Sequence, residues 1–256
     1  MRLVTYDRGG QRRLGAIVEG EVVDLPDAVG HPAFPTTLEG LVSSSRGTVM
    51  DAARAALANE DVQEWRVRQP RILTPLFPTS LLSPGSFEVE RRLVGPEQDV
   101  PWPPGAAWLE YEPKIAAVLG LEASRVEPED IGRHIFGYTL VSDWAARDAS
   151  GAPVSSGEGV AIAIGPCVVT VDELDPQTMF VQVKVDGQEV AKGNLNGAAA
   201  NLLVMISETS HLARLERGDA LALAPFDEER RLWPGAVVEL AAEGIGTLRN
   251  AIAKPA

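Results

Sequence analysis

Glu112 and Lys114 stand two residues apart in the run Tyr111-Glu112-Pro113-Lys114-Ile115-Ala116-Ala117-Val118-Leu119-Gly120, which reads as a strand. Residues i and i+2 of a strand share a face, so a carboxylate and an ammonium are set side by side. Lys114 has two readings at this level: an exposed lysine beside a solvated Glu112, or a desolvated, reactive amine. Thirty residues on, Asp143-Trp144-Ala145-Ala146-Arg147-Asp148 brings a carboxylate, an aromatic ring and a guanidinium into one short segment. A guanidinium suits bidentate capture of a carboxylate; the plainer role for Arg147 is an ion pair with Asp148 or Glu112. Arg147, Trp144 and Ser150 are the candidate substrate-binding residues. His31, His134 and His211 are scattered without ligand spacing, and Glu90 reads as a loop charge. Cys167, the single cysteine, sits in the apolar run Pro166-Cys167-Val168-Val169-Thr170, which predicts an inert buried thiol.

The elements that must position these groups follow from periodicity. Residues 1 to about 25 predict a small β-meander with turns at Arg8-Gly9-Gly10 and Glu19-Gly20-Glu21. Leu38, Leu41 and Val42 mark one short helix, and Val49, Ala53, Ala56 and Leu57 a second. Pro70 to Pro84 reads as a linker. The remainder alternates short apolar runs with Gly/Pro turns, at Ile162–Ile164, Cys167–Val171, Phe180–Val185, Ala220–Leu223 and Val237–Leu240. One helix is predicted from about Gly197 to Ala213, with Asn196 as its cap. The expectation is an α+β, mainly β protein, with a small N-terminal α/β unit over residues 1–70 and a larger C-terminal domain over 71–256.

At 256 residues, 45% hydrophobic and 23% charged, the chain can bury a substantial core. Its net charge of −13 argues against nucleic acid and anionic membranes as partners. The N-terminus moves directly into strand-like residues and no segment reaches the ~20 apolar residues of a membrane helix. A cytoplasmic location is the resulting expectation.

Three segments resemble the fumarylacetoacetate hydrolase family. Tyr111–Gly120 is similar to the family's Tyr-Glu-x-Glu strand. Gly137-Tyr138-Thr139-Leu140-Val141-Ser142-Asp143-Trp144-Ala145-Ala146-Arg147-Asp148 is similar to its Gly-Tyr-x-x-x-Asn-Asp-x-Ser-Ala-Arg-Asp. Pro234–Glu239 followed by Glu243-Gly244-Ile245-Gly246-Thr247-Leu248-Arg249-Asn250 resembles its C-terminal ending. The resemblance implies a folded-over β domain, a homodimer, a small anionic substrate, and Mg2+ or Mn2+ held by two Glu of the strand and the Asp of the second motif. Glu112 and Asp143 match two of those ligands. Lys114 replaces the third, so the expectation is weak or lost metal binding and no resident cofactor. With Asp143 brought in, Lys114 gains a third reading: a salt-bridged trio in which its ammonium replaces the metal's charge between Glu112 and Asp143.

Other departures run the same way. The family's His-x-x-Glu pair has no counterpart in Ser83–Pro96, its Gly-Lys-Ser-Phe-Asp segment has become roughly Ser155–Gly159, and its Gly-Thr-Pro loop appears as Ala224-Pro225-Phe226. The resemblance thus implies an enzyme for a small oxo-acid or β-dicarbonyl substrate, performing C–C cleavage, decarboxylation, isomerisation or cyclisation, with Lys114, Glu112 and Asp143 as the candidate catalytic group. The alternative is an inactive pseudoenzyme or binding protein. A cleft lined by Arg147, Lys114, Glu112, Asp143 and aromatics such as Trp144 favours chemistry or ligand capture; one filled by Phe87, Trp102 or Trp108 favours a structural role.

Overall fold

The computed structural model describes residues 1–44, 47–83, 92–154, 161–225 and 230–255. The N-terminal meander is β1 (Arg2–Arg8), β2 (Gln11–Val18) and β3 (Glu21–Asp24), followed by helices α1 (Leu25–Val29), α2 (Leu38–Ser43) and α3 (Thr48–Leu57). The two apolar stripes expected for residues 37–57 are thus α2 and α3. Their buried residues Leu38, Leu41, Val42, Met50 and Ala53 pack with Leu3, Leu14 and Phe136. The stretch read as a linker contributes two short strands, β4 (Ile72–Leu73) on β1 and β5 (Leu81–Leu82), because backbone groups passing a sheet edge are best satisfied by joining it.

The rest runs through β6 (Arg92–Val94), β7 (Trp108–Leu119), α4 (Pro128–Ile131), β8 (Ile135–Arg147), β9 (Ala161–Thr170), β10 (Phe180–Val185), β11 (Gln188–Asn194), α5 (Asn196–Leu212), β12 (Ala220–Leu223), β13 (Val237–Ala242) and β14 (Gly246–Ala251). The fold is α+β and mainly β. A large sheet takes the order β3-β2-β1-β9-β8-β7-β12-β5, with β4 on β1 and β6 on β9, and a second sheet takes the order β11-β10-β13-β14. The main core lies where these sheets meet, joining Leu109, Tyr111, Trp144 and Cys167 to Val183, Leu240 and Leu248. β1 pairs with β9 at Leu3↔Val168, so the meander is continuous with the large sheet.

Helix α5 starts on Asn196 itself, with Leu195 in the N-cap position and no side-chain cap, which corrects the assignment of Asn196 as cap. Cys167 is fully buried and burial pushes its thiol up to about 11, as expected of a small hydrophobe. Among the described residues no helix is long and apolar enough to cross a membrane.

Candidate functional site

Strands β7 and β8 pair antiparallel with Trp108 opposite Arg147, Glu112 opposite Asp143 and Lys114 opposite Val141. Directly opposed residues project from the same face. Trp108, Glu110, Glu112 and Lys114 therefore share a face with Asp143, Ala145 and Arg147. The second half of β7 is buried on both faces, and only its first half alternates charged with apolar residues. On its other edge β7 is covered by β12 from Ile115 to Val118 and by a bridge from Leu232 to Leu109. Between these, among the described residues, no strand pairs with residues 110–114 on that side. Pro113 lies in the gap, where a missing N–H interrupts no ladder.

The three residues expected to form a trio meet there. The Lys114 ammonium donates to Asp143 Oδ2 at 2.8 Å and to Ser83 Oγ at 2.9 Å, and pairs with Glu112 Oε2 at 2.9 Å. Their burial is graded: the Lys114 side chain is 3% exposed, Asp143 14% and Glu112 54%. An ammonium has three N–H donors and no lone pair, and here three oxygens surround it. The alternative of a solvent-exposed Lys114 does not hold, because its stem and head lie within the protein. Ser83, which the sequence did not single out, arrives from the end of β5; β5 pairs in parallel with β12, the strand beside β7.

This donor set does not fit Mg2+ or Mn2+. Hard divalent ions take about six oxygen ligands at roughly 2.0–2.2 Å, whereas a lysine nitrogen already lies within 2.8–2.9 Å of both carboxylates. Lys114, Glu112 and Asp143 together carry a formal charge of about −1 where three carboxylates would carry about −3. Among the described residues no group of three His, Cys, Asp or Glu side chains could hold a metal ion.

Arg147 lies on the same face but belongs to a separate group. Its Nε donates to Glu110 Oε2 at 2.7 Å, while Trp108 Nε1 donates to Glu110 Oε1 at 3.1 Å. The Arg231 guanidinium lies 4.2 Å above the Trp108 ring. Burial alone would push the Glu110 carboxyl up, but the hydrogen bonds from Arg147 and Trp108 hold it below its ordinary value. The expected partners of Arg147, Asp148 and Glu112, are thus replaced by Glu110. Four residues of strand, about 13 Å, separate Arg147 from Asp143, so a carboxylate captured by Arg147 would lie apart from the Lys114 group. Asp148 instead organises its own turn, accepting from Ser150 N at 2.8 Å, Ser150 Oγ at 2.6 Å and Ala152 N at 3.0 Å. Ser150 is exposed and spends its hydroxyl proton on that turn.

Trp144 requires a correction. It is next to Asp143 on a strand, so it projects from the opposite face, where it is 1% exposed and packs on Tyr111 with ring centroids 5.7 Å apart. It is a core residue and not a wall of the site. Trp102 packs on the same core and Trp108 stands at the far end of the strip. Phe87, Glu90, the Ser155–Gly159 segment and Phe226 lie outside the described residues. Two open clefts, about 430 Å3 beside α3 and about 550 Å3 around Trp233 and Lys254, are lined by none of the Lys114 group.

A family model described as fumarylacetoacetate (FAA) hydrolase C-terminal matches residues 51–253. The oxaloacetate tautomerase YisK of Bacillus subtilis is 28% identical over 156 residues, covering 56% of this chain and 52% of its own length. Among solved structures, a fumarylacetoacetate hydrolase from psychrophilic Exiguobacterium antarcticum superposes with a TM-score of 0.78 at 22% identity, covering 100% of both chains. A maleylpyruvate hydrolase from Sphingobium sp. SYK-6, in complex with manganese(II) and pyruvate, superposes with a TM-score of 0.73 at 21% identity, again covering 100% of both. These two likenesses establish the fold.

Proposed function

The chain belongs to the fumarylacetoacetate hydrolase family, and from that premise we propose that it interconverts the keto and enol forms of a small oxo acid without a divalent ion. The observation that carries this reading is the buried Lys114 ammonium, held between Asp143 and Glu112. Negative charge develops on the carbonyl oxygen as the neighbouring carbon loses its proton, and a preorganised cation in a water-poor setting stabilises it. Glu112 is the most exposed of the three partners, so it is the acceptor that a ligand oxygen displaces. Once displaced, its carboxylate is placed to take the proton and return it at the other atom. Asp143 keeps the ammonium in place. The name of the tautomerase relative makes oxaloacetate the first compound to try. The proposed partners are accordingly a small organic anion and, on the resemblance alone, a second copy of the chain.

A second reading is favoured by a specific observation: all three oxygens around Lys114 come from the protein itself. On that reading the scaffold binds a ligand and turns nothing over. The test follows the ultraviolet absorbance of enol-oxaloacetate with the purified protein in excess EDTA. The expected result is an acceleration that EDTA leaves unchanged and that Lys114→Met removes. No acceleration, or acceleration only after Mn2+ is added, would reject the tautomerase reading.

A further inference from the structure

We infer that Ser83 is a substrate-positioning residue of this centre, holding one oxygen of a 2-oxo acid while Lys114 holds the other; this rests on the tautomerase reading above. A serine hydroxyl offers one donor and two acceptor sites. At Ser83 an acceptor site is taken by the Lys114 ammonium at 2.9 Å, and the hydroxyl's own proton meets no acceptor among the described residues. An O–H whose oxygen accepts from a cation is polarised and becomes the stronger donor. The structure thus places two donors, the Ser83 O–H and the Lys114 ammonium, 2.9 Å apart beside the most exposed of the three lysine partners.

That spacing suits a ligand with oxygens on adjacent carbons, namely a carboxylate and the neighbouring carbonyl. The carbonyl oxygen, which becomes the enolate, displaces Glu112 from Lys114, and the neighbouring carboxylate oxygen accepts from Ser83. Lys114 also positions Ser83, because its own stem is buried and its head is fixed by Asp143 at 2.8 Å. A simple monocarboxylic acid offers this pair only the two oxygens of its carboxylate and no carbonyl for Lys114 to polarise, and in a 3-oxo acid the carbonyl lies one carbon further from the carboxylate, so the pair favours 2-oxo acids for turnover.

Two variants test this, Ser83→Ala and Ser83→Thr, each assayed for oxaloacetate tautomerisation in EDTA and titrated calorimetrically with oxalate, which carries oxygens on adjacent carbons. Ser83→Ala is expected to lower kcat and oxalate affinity by roughly ten- to a hundredfold, the size of a charge-assisted hydrogen bond. Ser83→Thr keeps the hydroxyl and is expected to restore both. If wild type is active and Ser83→Ala matches it, or if folded Ser83→Thr is as impaired as Ser83→Ala, the assignment of Ser83 is wrong while the tautomerase reading stands. If wild type neither binds oxalate nor accelerates the reaction, both are overturned.

Discussion

In the N-terminal meander a buried carboxylate is ringed by cations, whereas between β7 and β8 a buried cation is ringed by carboxylates. Asp24 is 4% exposed and accepts from Arg8 Nη1 at 2.6 Å, from Arg13 Nε and Nη2 at 3.0 and 3.1 Å, and from the Tyr6 hydroxyl. It also caps α1 by accepting from Asp27 N at 2.8 Å. Asp27 pairs with both arginines again, so two carboxylates balance two guanidinium groups. Among the described residues the Lys114 group sets one cation against two carboxylates, its partners are unequally buried, and the proton of its serine meets no acceptor. A balanced cluster whose partners close on one another fixes a fold. An unbalanced one, with one partner half in water at a gap in the sheet, can exchange that partner for a ligand.

The largest expected effect breaks the closed cluster. Asp24→Ala leaves Asp27 as the one carboxylate facing two guanidinium groups, takes the acceptor from a buried phenol and removes a helix cap, at a cost of about 3–5 kcal/mol by denaturant unfolding. Lys114→Met should cost less, about 1–2 kcal/mol, because Glu112 can turn into water and the apolar stem is replaced. Equal losses would erase the distinction between the clusters.

Acid sharpens the contrast. Burial alone would raise the Asp24 pKa, but hydrogen bonds from Arg13, Tyr6 and the Asp27 backbone overcome it and the net shift is downward. A depressed carboxyl contributes stability above its unfolded pKa of about 3.9 and loses it as pH falls through the lower folded value. Unfolding measured from neutral to acid pH should therefore show a shallower acid loss in Asp24→Asn than in wild type. An unchanged acid slope would mean that Asp24 does not carry this share. The smallest effect is expected on the far face of β8: Trp144→Phe should leave oxalate binding unchanged, and a large loss would return Trp144 to the site.

The parts legible in the sequence were those that local spacing decides. The i, i+2 rule put Glu112 and Lys114 on one face, and helical periodicity marked α2, α3 and the body of α5. The same rule places Trp144 on the face opposite to Asp143, although the two are neighbours in the motif. Glu110 as the partner of Arg147 needs the β7–β8 register, which sets Trp108 across from Arg147. Ser83 depends on β5 joining β12 and β12 joining β7, pairings between segments more than a hundred residues apart. The Asp24 cluster likewise draws Tyr6, Arg8, Arg13 and Asp27 together through strand pairing and a helix cap, and no short motif announces it.

The central claim is that the Lys114 ammonium stands where the family's divalent ion would be held, and Mn2+ titration calorimetry of wild type beside Lys114→Glu tests it most directly. The substitution changes the local charge from about −1 to about −3 and offers three carboxylates on one face of the strand pair. Wild type is expected to give no binding heat, and the folded variant to bind one ion saturably. One tightly held Mn2+ per wild-type chain, or a folded Lys114→Glu variant that binds none, would contradict it.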